Sequence, residues 1–341
     1  MPAPRAAILD CAGPVPSPDE CAFFRDADPW GFIVFARHVR DPAQLSRLTG
    51  ELREAVGRDA PILVDQEGGR VARLRGPHWR DWPRLPDLVA ALPPEGAARA
   101  LGLQFGLIAH ELRAVGLDVN CMPIADVAGP GTHPIIADRA LGTDPVQVAA
   151  NARAVAEALL AGGVLPVLKH LPGHGAARAD SHLTLPTVDA PLDALRARDF
   201  AAFRPLADLP LGMTAHVVYP ALDPEAPATL SPACIAASRD DIGFDGLLMT
   251  DDMAMGALTG PMGARARDAL AAGCDMLLLC NSDRADQAAL LAETPRLSGR
   301  ALTRAEAALA ARRPPAPFDP AEAEAALAAL LPEGLRRAAH A

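Results

Sequence analysis

Long apolar runs are absent from this sequence of 341 residues, although 50% of its residues are hydrophobic. Since a membrane-spanning helix needs about eighteen or more consecutive apolar residues, we expect no membrane partner. The first residues, MPAPRAAILDCAG, also lack the apolar segment of a cleavable signal, so we expect a cytoplasmic protein. A surplus of basic residues is missing too, because the formal net charge is −10. Phosphate contacts need clustered lysine and arginine, so no nucleic-acid partner is expected.

Closely spaced cysteines are also lacking. The six cysteines lie far apart, several of them inside apolar runs, and no C-x-x-C pair occurs. They are Cys11, Cys21, Cys121, Cys234, Cys274 and Cys280. This spacing favours buried free thiols over disulfides or a zinc site.

Eight short apolar runs alternate with helical patterns along most of the chain. The predicted strands cover residues 6–11, 31–36, 62–65, 117–121, 164–169, 211–216, 246–251 and 275–280. The predicted helices cover residues 43–56, 94–115, 145–161, 192–203, 263–272 and 286–293. A parallel connection must cross the sheet, so this alternation indicates parallel strands. We predict an α/β fold, a single (β/α)₈ barrel of the TIM type over residues 1–341, with extra C-terminal helices and residues 313–341 as a peripheral helical tail.

Polar side chains cluster where the predicted strands end. They are Asp65, Gln66, Glu67, Asn120, Lys169, His170, His216, Thr250, Asp251, Asp252 and Asn281. In a (β/α)₈ barrel these ends meet at one mouth, where active sites of this fold lie, whereas an open sheet would scatter half of them. The segment 67–87 shows no obvious helical pattern, and long loops of this kind are usually functional. The pattern therefore favours a barrel with a site at its mouth.

The segment 169–186, KHLPGHGAARADSHLTLP, brings many proton-handling groups together. It follows an apolar run at 164–168 and therefore lies on the loop that leaves a buried strand. In an extended segment, residues i and i+2 point to the same side, so Asp180 can bond one ring nitrogen of His182 and leave the other free. This arrangement is typical of a proton-transfer dyad.

Several of the polar residues also permit a structural interpretation. Asp251 and Asp252 could both cap the following helix, although strand alternation points only one of them into the mouth. His216 is as consistent with packing as with function. Asn120 and Asp126 could be buried groups that hold the mouth together.

Arg73 and Arg139 lie near the predicted mouth loops. As members of surface ion pairs they would contribute little to stability. As ligand contacts they would offer several hydrogen-bond donors to a polar molecule. Their positions alone leave both interpretations open.

Five segments together resemble family 3 glycoside hydrolases, and especially the single-domain bacterial β-N-acetylhexosaminidases of cell-wall recycling. They are VDQEGGRVARL (64–74), ADRALG (137–142), KHLPGHGAARADSHLTLP (169–186), MTAHVVYPALD (213–223) and MTDDMAM (249–255), in the family's order. Two departures concern Ala176-Ala177, where relatives often have Asp or Asn followed by Thr, and Thr250, where serine is common. They bear only on the conformation of the loop.

The resemblance implies a role for each of eight residues. Asp251 is expected to be the nucleophile, and His182, polarised by Asp180, the general acid/base. Asp65 is expected to bind sugar hydroxyls. Further substrate contacts are implied for Arg73, Arg139, Lys169 and His170.

The resemblance also implies the reaction. We expect a retaining exo-β-N-acetylglucosaminidase that removes terminal N-acetylglucosamine (GlcNAc) from GlcNAc-1,6-anhydro-muramoyl fragments, with or without peptide, through a covalent intermediate on Asp251. The partner is then a small carbohydrate, no metal or other cofactor is required, and a monomer is expected. Substrate assistance by the acetamido group is another route for such sugars.

Other functions remain open at this point. His170, His174, Asp180 and His182 supply ligand types for a metal-dependent barrel hydrolase, although Lys169 beside them would repel a divalent cation. A family 3 β-glucosidase or a phosphorylase would share the same motifs. A sugar-binding barrel without catalysis is a further alternative, but binding alone needs no proton donor.

Overall fold

Eight parallel strands close into a barrel in the computed structural model, which describes residues 2–338 of the chain. The strands follow one another in chain order around the barrel, and the last pairs with the first. They are β1 (Arg5–Leu9), β2 (Pro29–Val34), β3 (Ile62–Val64), β4 (Val119–Asn120), β5 (Leu165–Leu171), β6 (Leu211–Thr214), β7 (Leu247–Asp252) and β8 (Met276–Leu279). The eight predicted strands and the (β/α)₈ barrel are therefore confirmed.

Helices surround this barrel. They are α1 (Pro18–Ala27), α2 (Pro42–Val56), α3 (Leu85–Ala90), α4 (Pro94–Ala114), α5 (Pro134–Ala137), α6 (Pro145–Ala161), α7 (Leu192–Ala197), α8 (Asp199–Phe203), α9 (Pro232–Ala236), α10 (Met262–Ala272), α11 (Arg284–Glu293), α12 (Gly299–Ala310), α13 (Pro320–Leu330) and α14 (Glu333–Ala338). Five predicted helices are confirmed as α2, α4, α6, α10 and α11. The predicted helix at 192–203 is interrupted at Arg198, whose backbone dihedrals (φ −114°, ψ −69°) leave the helical values, and it forms α7 and α8.

The sequence prediction missed α1, although a local signal for it exists. The hydroxyl of Ser17 accepts a hydrogen bond from the backbone N–H of Glu20, and the Glu20 carboxylate accepts one from the backbone N–H of Ser17. This reciprocal capping box satisfies two backbone donors that the first turn of a helix otherwise leaves unpaired. The pattern Ser-Pro-Asp-Glu therefore indicates a helix start.

The segment 67–87 is more structured than the sequence predicts. Gln66–Gly68 pairs with Val71–Ala72 in a small antiparallel hairpin, and α3 begins at Leu85. The hairpin folds the chain back over the end of β3. The segment contains no helix before Leu85, as the sequence pattern indicates, but it is not irregular throughout.

The strands are apolar on both faces of the barrel wall. In β1, Ile8 belongs to a cluster inside the barrel, together with Leu63 and Leu278, whereas Ala7 and Leu9 belong to the layer under the helices. Burial on both faces explains why the strands are near-continuous apolar runs. Because the interior is packed with side chains, a ligand can bind only at an end of the barrel.

α12 lies across the end of the barrel at which the strands begin. Its residues Ala305 and Ala308 belong to the inner cluster. Arg304 of the same helix donates to Asp275, directly before β8, at 3.1 Å. Arg312 pairs with Asp118, directly before β4. Since this end is covered, the accessible mouth is the end at which the strands finish.

The chain after α12 runs along the outside of the barrel. Ala316 donates its backbone N–H to the carbonyl of Ala161 at 2.8 Å, and α13 packs on α4. α13 and α14 fall within the tail predicted at residues 313–341, of which 339–341 lie outside the described residues. The assignment of the whole chain to one domain stays a prediction.

Two expectations about composition can be compared with the structure. All six cysteines are free thiols, and five of them are buried, as predicted. No helix within residues 2–338 is long and apolar enough to cross a membrane.

Candidate active site

A cavity of about 370 Å³ opens at the mouth of the barrel. Its charged and polar lining comprises Asp65, Arg70, Arg73, Arg139, Lys169, His170, His182, Asp251, Asp252 and Asn281. Its other walls comprise Ile33, Phe35, Val71, Ile135, Met213, Met255, Leu278 and Cys280. Of the eight residues that the sequence assigns to the site, seven line this cavity, and Asp180 is bonded to His182, one of the seven.

Glu67 is a buried carboxylate beside the cavity, and the sequence prediction gave it no role in the site. It accepts two hydrogen bonds from Arg139, at 2.8 Å from Nε and 2.7 Å from Nη2, and lies 2.7 Å from Nζ of Lys169. Lys169 also donates to Asp65 at 3.2 Å, and Arg73 donates to Asp65 at 2.8 Å. The five groups form one network in which each carboxylate is shared between two cations.

This network bears on the interpretation of the arginines as members of surface ion pairs. The side chain of Arg139 is only 9% exposed, so it is no surface ion pair. Arg73 is partly exposed, bonds to Asp65 and lies over the ring of Phe35, with 5.3 Å from Cζ to the ring centroid. Both guanidinium groups are therefore held in the wall of the cavity, and their use as substrate contacts stays a prediction.

The network also sets the charge of its two carboxylates. Burial raises the pKa of Asp65, but the charges of Lys169 and Arg73 outweigh it and hold the pKa below its ordinary value. Burial likewise raises the pKa of Glu67, and the charges of Arg139 and Lys169 outweigh it, so that this pKa also falls. Both carboxylates are therefore ionised at neutral pH.

Asp126 fixes the orientation of His170. Its Oδ2 lies 2.6 Å from Nδ1 of His170, and its Oδ1 accepts from the backbone N–H of His174 at 2.6 Å. Because Nδ1 is engaged, Nε2 is the nitrogen through which His170 can contact a ligand. The interpretation of Asp126 as a buried group that holds the mouth together is confirmed.

Asp251 and Asp252 both line the cavity, so the prediction that only one of them reaches the mouth was wrong. The register of β7 against β8 shifts between Met249 and Asp252, and such an irregularity breaks the strict alternation of side chains. Their partners nevertheless differ. Asp252 accepts from the backbone N–H groups of Ala254 at 3.0 Å and Cys280 at 3.1 Å.

Asp251 is the less restrained carboxylate of the pair. Its Oδ1 accepts from the backbone N–H of Asp252 at 2.8 Å. Burial raises the pKa of Asp251, but the neighbouring rings of His216 and His170 and this N–H outweigh it, so the pKa lies below its ordinary value. Asp251 is thus an ionised carboxylate in the cavity wall at neutral pH. In contrast, burial raises the pKa of Asp252 above its ordinary value.

His216 and Asn120 have structural roles. His216 is buried, with Nδ1 at 2.7 Å from the hydroxyl of Thr229 and Nε2 at 3.0 Å from the carbonyl of Asp252. Asn120 donates to the carbonyl of Gln66 at 2.9 Å and accepts from its backbone N–H at 3.0 Å. The structural interpretation is therefore confirmed for both residues, which hold the ends of the strands in place.

His182 reaches the cavity from the His182 loop, which we define as residues 172–186 between β5 and the next pairing segment. Asp180 Oδ1 lies 2.8 Å from Nδ1 of His182 and accepts from the backbone N–H of the same residue at 2.9 Å. The predicted i, i+2 contact is therefore present. Burial raises the pKa of Asp180, but both contacts with His182 outweigh it and lower the pKa. The side chain of His182 is 56% exposed, so it can exchange protons with solvent.

The ligand types proposed for a metal site do not converge. His170 is bonded to Asp126, whereas His174 is buried, bonds through Nε2 to Ser181 at 3.2 Å, and has its pKa lowered by burial to about 4. Within residues 2–338, no group of three or more His, Cys, Asp and Glu side chains is placed to hold a metal ion. The geometry gives no support to a metal-dependent hydrolase.

Glu67 is one of the polar residues at the predicted strand ends, but the sequence assigned it no specific role. Glu67 stands two residues after Asp65, and residues i and i+2 of an extended segment point to the same side. The same rule placed Asp180 beside His182. What the sequence does not reveal is that Arg139, 72 residues away, is the partner of Glu67.

Comparisons with known proteins agree with this geometry. The family described as "Glycosyl hydrolase family 3 N terminal domain" matches residues 25–310. A protein named beta-hexosaminidase from Methylococcus capsulatus is 38% identical over 312 residues, which cover 89% of this chain and 91% of that protein. Another of the same name from Alkalilimnicola ehrlichii is 42% identical over 270 residues, 76% of each chain.

Solved structures give the same result. NagZ from Neisseria gonorrhoeae in complex with N-trifluoroacetyl-D-glucosamine superposes with a TM-score of 0.82 at 30% identity, covering 99% of this chain and 96% of that one. A family 3 β-N-acetylglucosaminidase from Paenibacillus sp. FPU-7 gives a TM-score of 0.83 at 28% identity, covering 98% of this chain. This chain spans 66% of the Paenibacillus protein.

Glu67→Gln should remove stability that depends on the ionised carboxylate. A folded pKa below the ordinary value of 4.5 means that this stability is fully present above that pH and is lost as the pH falls toward about 2. The variant should be less stable near neutral pH by on the order of 3–5 kcal/mol, because two buried cations lose their shared partner. The difference from wild type should shrink below about pH 4.5.

Denaturant unfolding at a series of pH values measures this difference. Glu306→Gln, at an exposed glutamate of α12, is the matched control and should leave the unfolding curve nearly unchanged at each pH. A deficit of Glu67→Gln that stays constant down to about pH 3 would contradict the assignment of the shared charge to Glu67.

Proposed function

The chain belongs to glycosyl hydrolase family 3 and is a β-N-acetylhexosaminidase, and we propose that it removes non-reducing terminal GlcNAc with retention of configuration. The observation that carries the proposal is the meeting of Asp251 and the His182–Asp180 dyad at one cavity. An ionised carboxylate can serve as the nucleophile and an imidazole with one free nitrogen as the acid/base, which are the two roles that a double displacement needs.

The remaining lining is suited to a single sugar. Asp65 and Arg73 offer oxygen acceptors and N–H donors to sugar hydroxyls, and Arg139, Lys169 and His170 complete this set. A volume of about 370 Å³ is at the small end of ligand cavities and fits one sugar ring better than an oligosaccharide. This size supports exo-action. The Neisseria protein crystallised with N-trifluoroacetyl-D-glucosamine supports an N-acylated glucosamine as that ring.

In the first displacement, Asp251 attacks the anomeric carbon while His182 protonates the leaving oxygen. The anomeric carbon passes through an oxocarbenium-like state and becomes bonded to Asp251. In the second displacement, neutral His182 takes a proton from water, whose oxygen bonds to the anomeric carbon as the glycosyl–Asp251 bond breaks. Asp251 begins ionised because its pKa is lowered, which suits a nucleophile at neutral pH.

A histidine can serve as the acid because imidazole titrates near neutral pH without strong tuning. Asp180 engages Nδ1, so Nε2 is the nitrogen that carries the transferred proton. The Asp180 carboxylate fixes the tautomer and the orientation of the ring, as in other carboxylate–histidine pairs.

Asp251 rather than the acetamido group is the proposed nucleophile. Substrate assistance would require a second carboxylate free to orient the acetamido group. Asp252 is held by the N–H groups of Ala254 and Cys280, and lies 3.4 Å from Nδ2 of Asn281. These bonds oppose its use as that second carboxylate.

The substrate that we propose is GlcNAc linked to a 1,6-anhydro-muramoyl unit, with or without peptide. The support is the resemblance of the segments at 64–74, 169–186 and 249–255 to the enzymes of cell-wall recycling, together with the structural likeness to NagZ. A cytoplasmic monomer acting on these small fragments completes the proposal.

His182→Ala should separate substrates by their leaving groups. The loss of kcat/KM should be about 10²–10⁴-fold on the natural disaccharide and far smaller on an aryl glycoside whose leaving group needs no proton. His78→Ala, at an exposed histidine of the segment 67–87, is the matched control and should keep full activity on both. Equal losses on the two substrates would remove His182 from the acid/base role.

Asp251→Ala should lose nearly all turnover on every substrate, because it removes the carboxylate on which the proposed covalent intermediate forms. In the wild type, a 2-fluoro sugar with a good leaving group should accumulate as an adduct on Asp251, which peptide mass spectrometry would locate. Asp245→Ala, at an exposed aspartate before β7, is the control for the substitution. An adduct on another residue, or tight binding of an oxazoline mimic with no adduct, would overturn the assignment.

Water should be the acceptor in the second displacement. Inorganic phosphate should then leave the rate of aryl glycoside turnover unchanged, and the product should be the free sugar. Phosphate-dependent acceleration with release of sugar 1-phosphate would identify a phosphorylase instead, since a neutral histidine does not repel phosphate as a carboxylate would.

A further inference from the structure

The His182 loop is bonded to the loop that follows Asp251. We define the latter, residues 253–260, as the Asp251 loop. The backbone N–H of Gly256 donates to the carbonyl of His182 at 3.2 Å, and the backbone N–H of Ala257 donates to the carbonyl of Ser181 at 3.2 Å. Two consecutive N–H groups of one loop therefore hold two consecutive carbonyls of the other.

The contact at Gly256 leaves no room for a side chain. A Cβ atom at this position would lie 2.9 Å from the carbonyl oxygen of His182 and 3.0 Å from that of Leu183. Both atoms belong to the backbone, so they cannot move aside as the end of a flexible side chain would. Gly256 itself is exposed to solvent. A larger residue there would push the two loops apart without disturbing the core of the barrel.

The part of the His182 loop before the dyad is attached to other segments. Thr132 donates to the carbonyl of Gly175 at 2.6 Å, and His133 donates its backbone N–H to the carbonyl of Ala177 at 3.0 Å. These bonds fix the first half of the loop beside α5. They do not determine how far His182 lies from β7, which carries Asp251.

We propose that Gly256 is a positioning residue, which sets the place of His182 relative to Asp251 by allowing the backbones of the two loops to meet. The proposal rests on the proposed function, because it assigns Gly256 a role that acts only through the acid/base histidine. The physical reason is that proton transfer is very sensitive to distance, and a displacement of about 1 Å can cost on the order of 10²-fold in rate.

Gly256→Ala tests this assignment. We expect kcat/KM on the GlcNAc-anhydro-muramoyl disaccharide to fall by on the order of 10²-fold, and on an aryl glycoside with a good leaving group to fall far less. Inhibition by free GlcNAc should be unchanged, because Asp65, Arg73 and Lys169 are untouched. Gly50→Ala is the matched control, since Gly50 is also exposed but a Cβ there meets no atom within 4 Å.

Two further measurements distinguish positioning from a general structural effect. In the His182→Ala background, Gly256→Ala should cause no further loss, because a residue that acts only through His182 has nothing left to position. Azide should accelerate the turnover of an aryl glycoside by Gly256→Ala, as it should for His182→Ala. Azide needs no general base, so it can attack the glycosyl-enzyme in place of water, and the product is a glycosyl azide. Wild type and Gly50→Ala should show no acceleration.

Trypsin cleavage provides a readout without activity. Arg178 is exposed within the His182 loop, and cleavage after it should be faster in Gly256→Ala than in wild type or Gly50→Ala, with the melting temperature unchanged. Equal losses on both substrates, additive losses in the double variant, or wild-type behaviour of Gly256→Ala would each overturn the positioning role. If His182→Ala itself shows no leaving-group dependence, the proposed function fails instead, and the two failures are distinguishable.

Discussion

The sharing of the buried Glu67 carboxylate between Lys169 and Arg139 is the interaction on which the mouth of the barrel depends. A charge without a partner at this depth would be strongly destabilising, so each of these groups requires the others. Through Lys169 the network extends to Asp65 and Arg73 in the cavity wall. Its charges are largely paired, and it therefore presents directed donors and acceptors with little net charge. Such a surface suits an uncharged sugar with many hydroxyl groups.

Packing contacts that stabilise the barrel and the residues of the candidate site lie at opposite ends of its axis. At the end where the strands begin, α12 covers the core; Arg304 of α12 binds Asp275, and Arg312, just after the helix, binds Asp118. At the other end the strands finish in charged and polar residues that have partners but still line a cavity. Sites of this fold lie at the end where the strands finish. The packing at the closed opposite end contributes stability, which offsets the free-energy cost of burying charges at the mouth.

The two proposed reactive groups differ in how they are held. Asp251 belongs to a barrel strand and is fixed by the backbone, whereas His182 is an exposed residue of the loop that follows β5. The dyad with Asp180 orients the ring, and the segment that carries the ring is held by the bond of Ser181 to His174 and by contacts with the Asp251 loop. The paired N–H groups of Gly256 and Ala257 link the loop of the histidine to the strand of the carboxylate. A mechanism that needs both groups at one sugar therefore depends on this contact as well as on the barrel.

The sequence by itself determined the eight strands, five of the helices and the Asp180–His182 pair, because these depend on periodicity and on neighbours two to four residues apart. It also indicated that the strand ends carry the site. Only the tertiary structure decided that Glu67 joins Arg139, 72 residues away, and that Gly256 meets His182. The register shift that brings both Asp251 and Asp252 to the cavity is likewise set by pairing with β8. These contacts arise when the barrel closes, and no local pattern encodes which distant residues closure brings together.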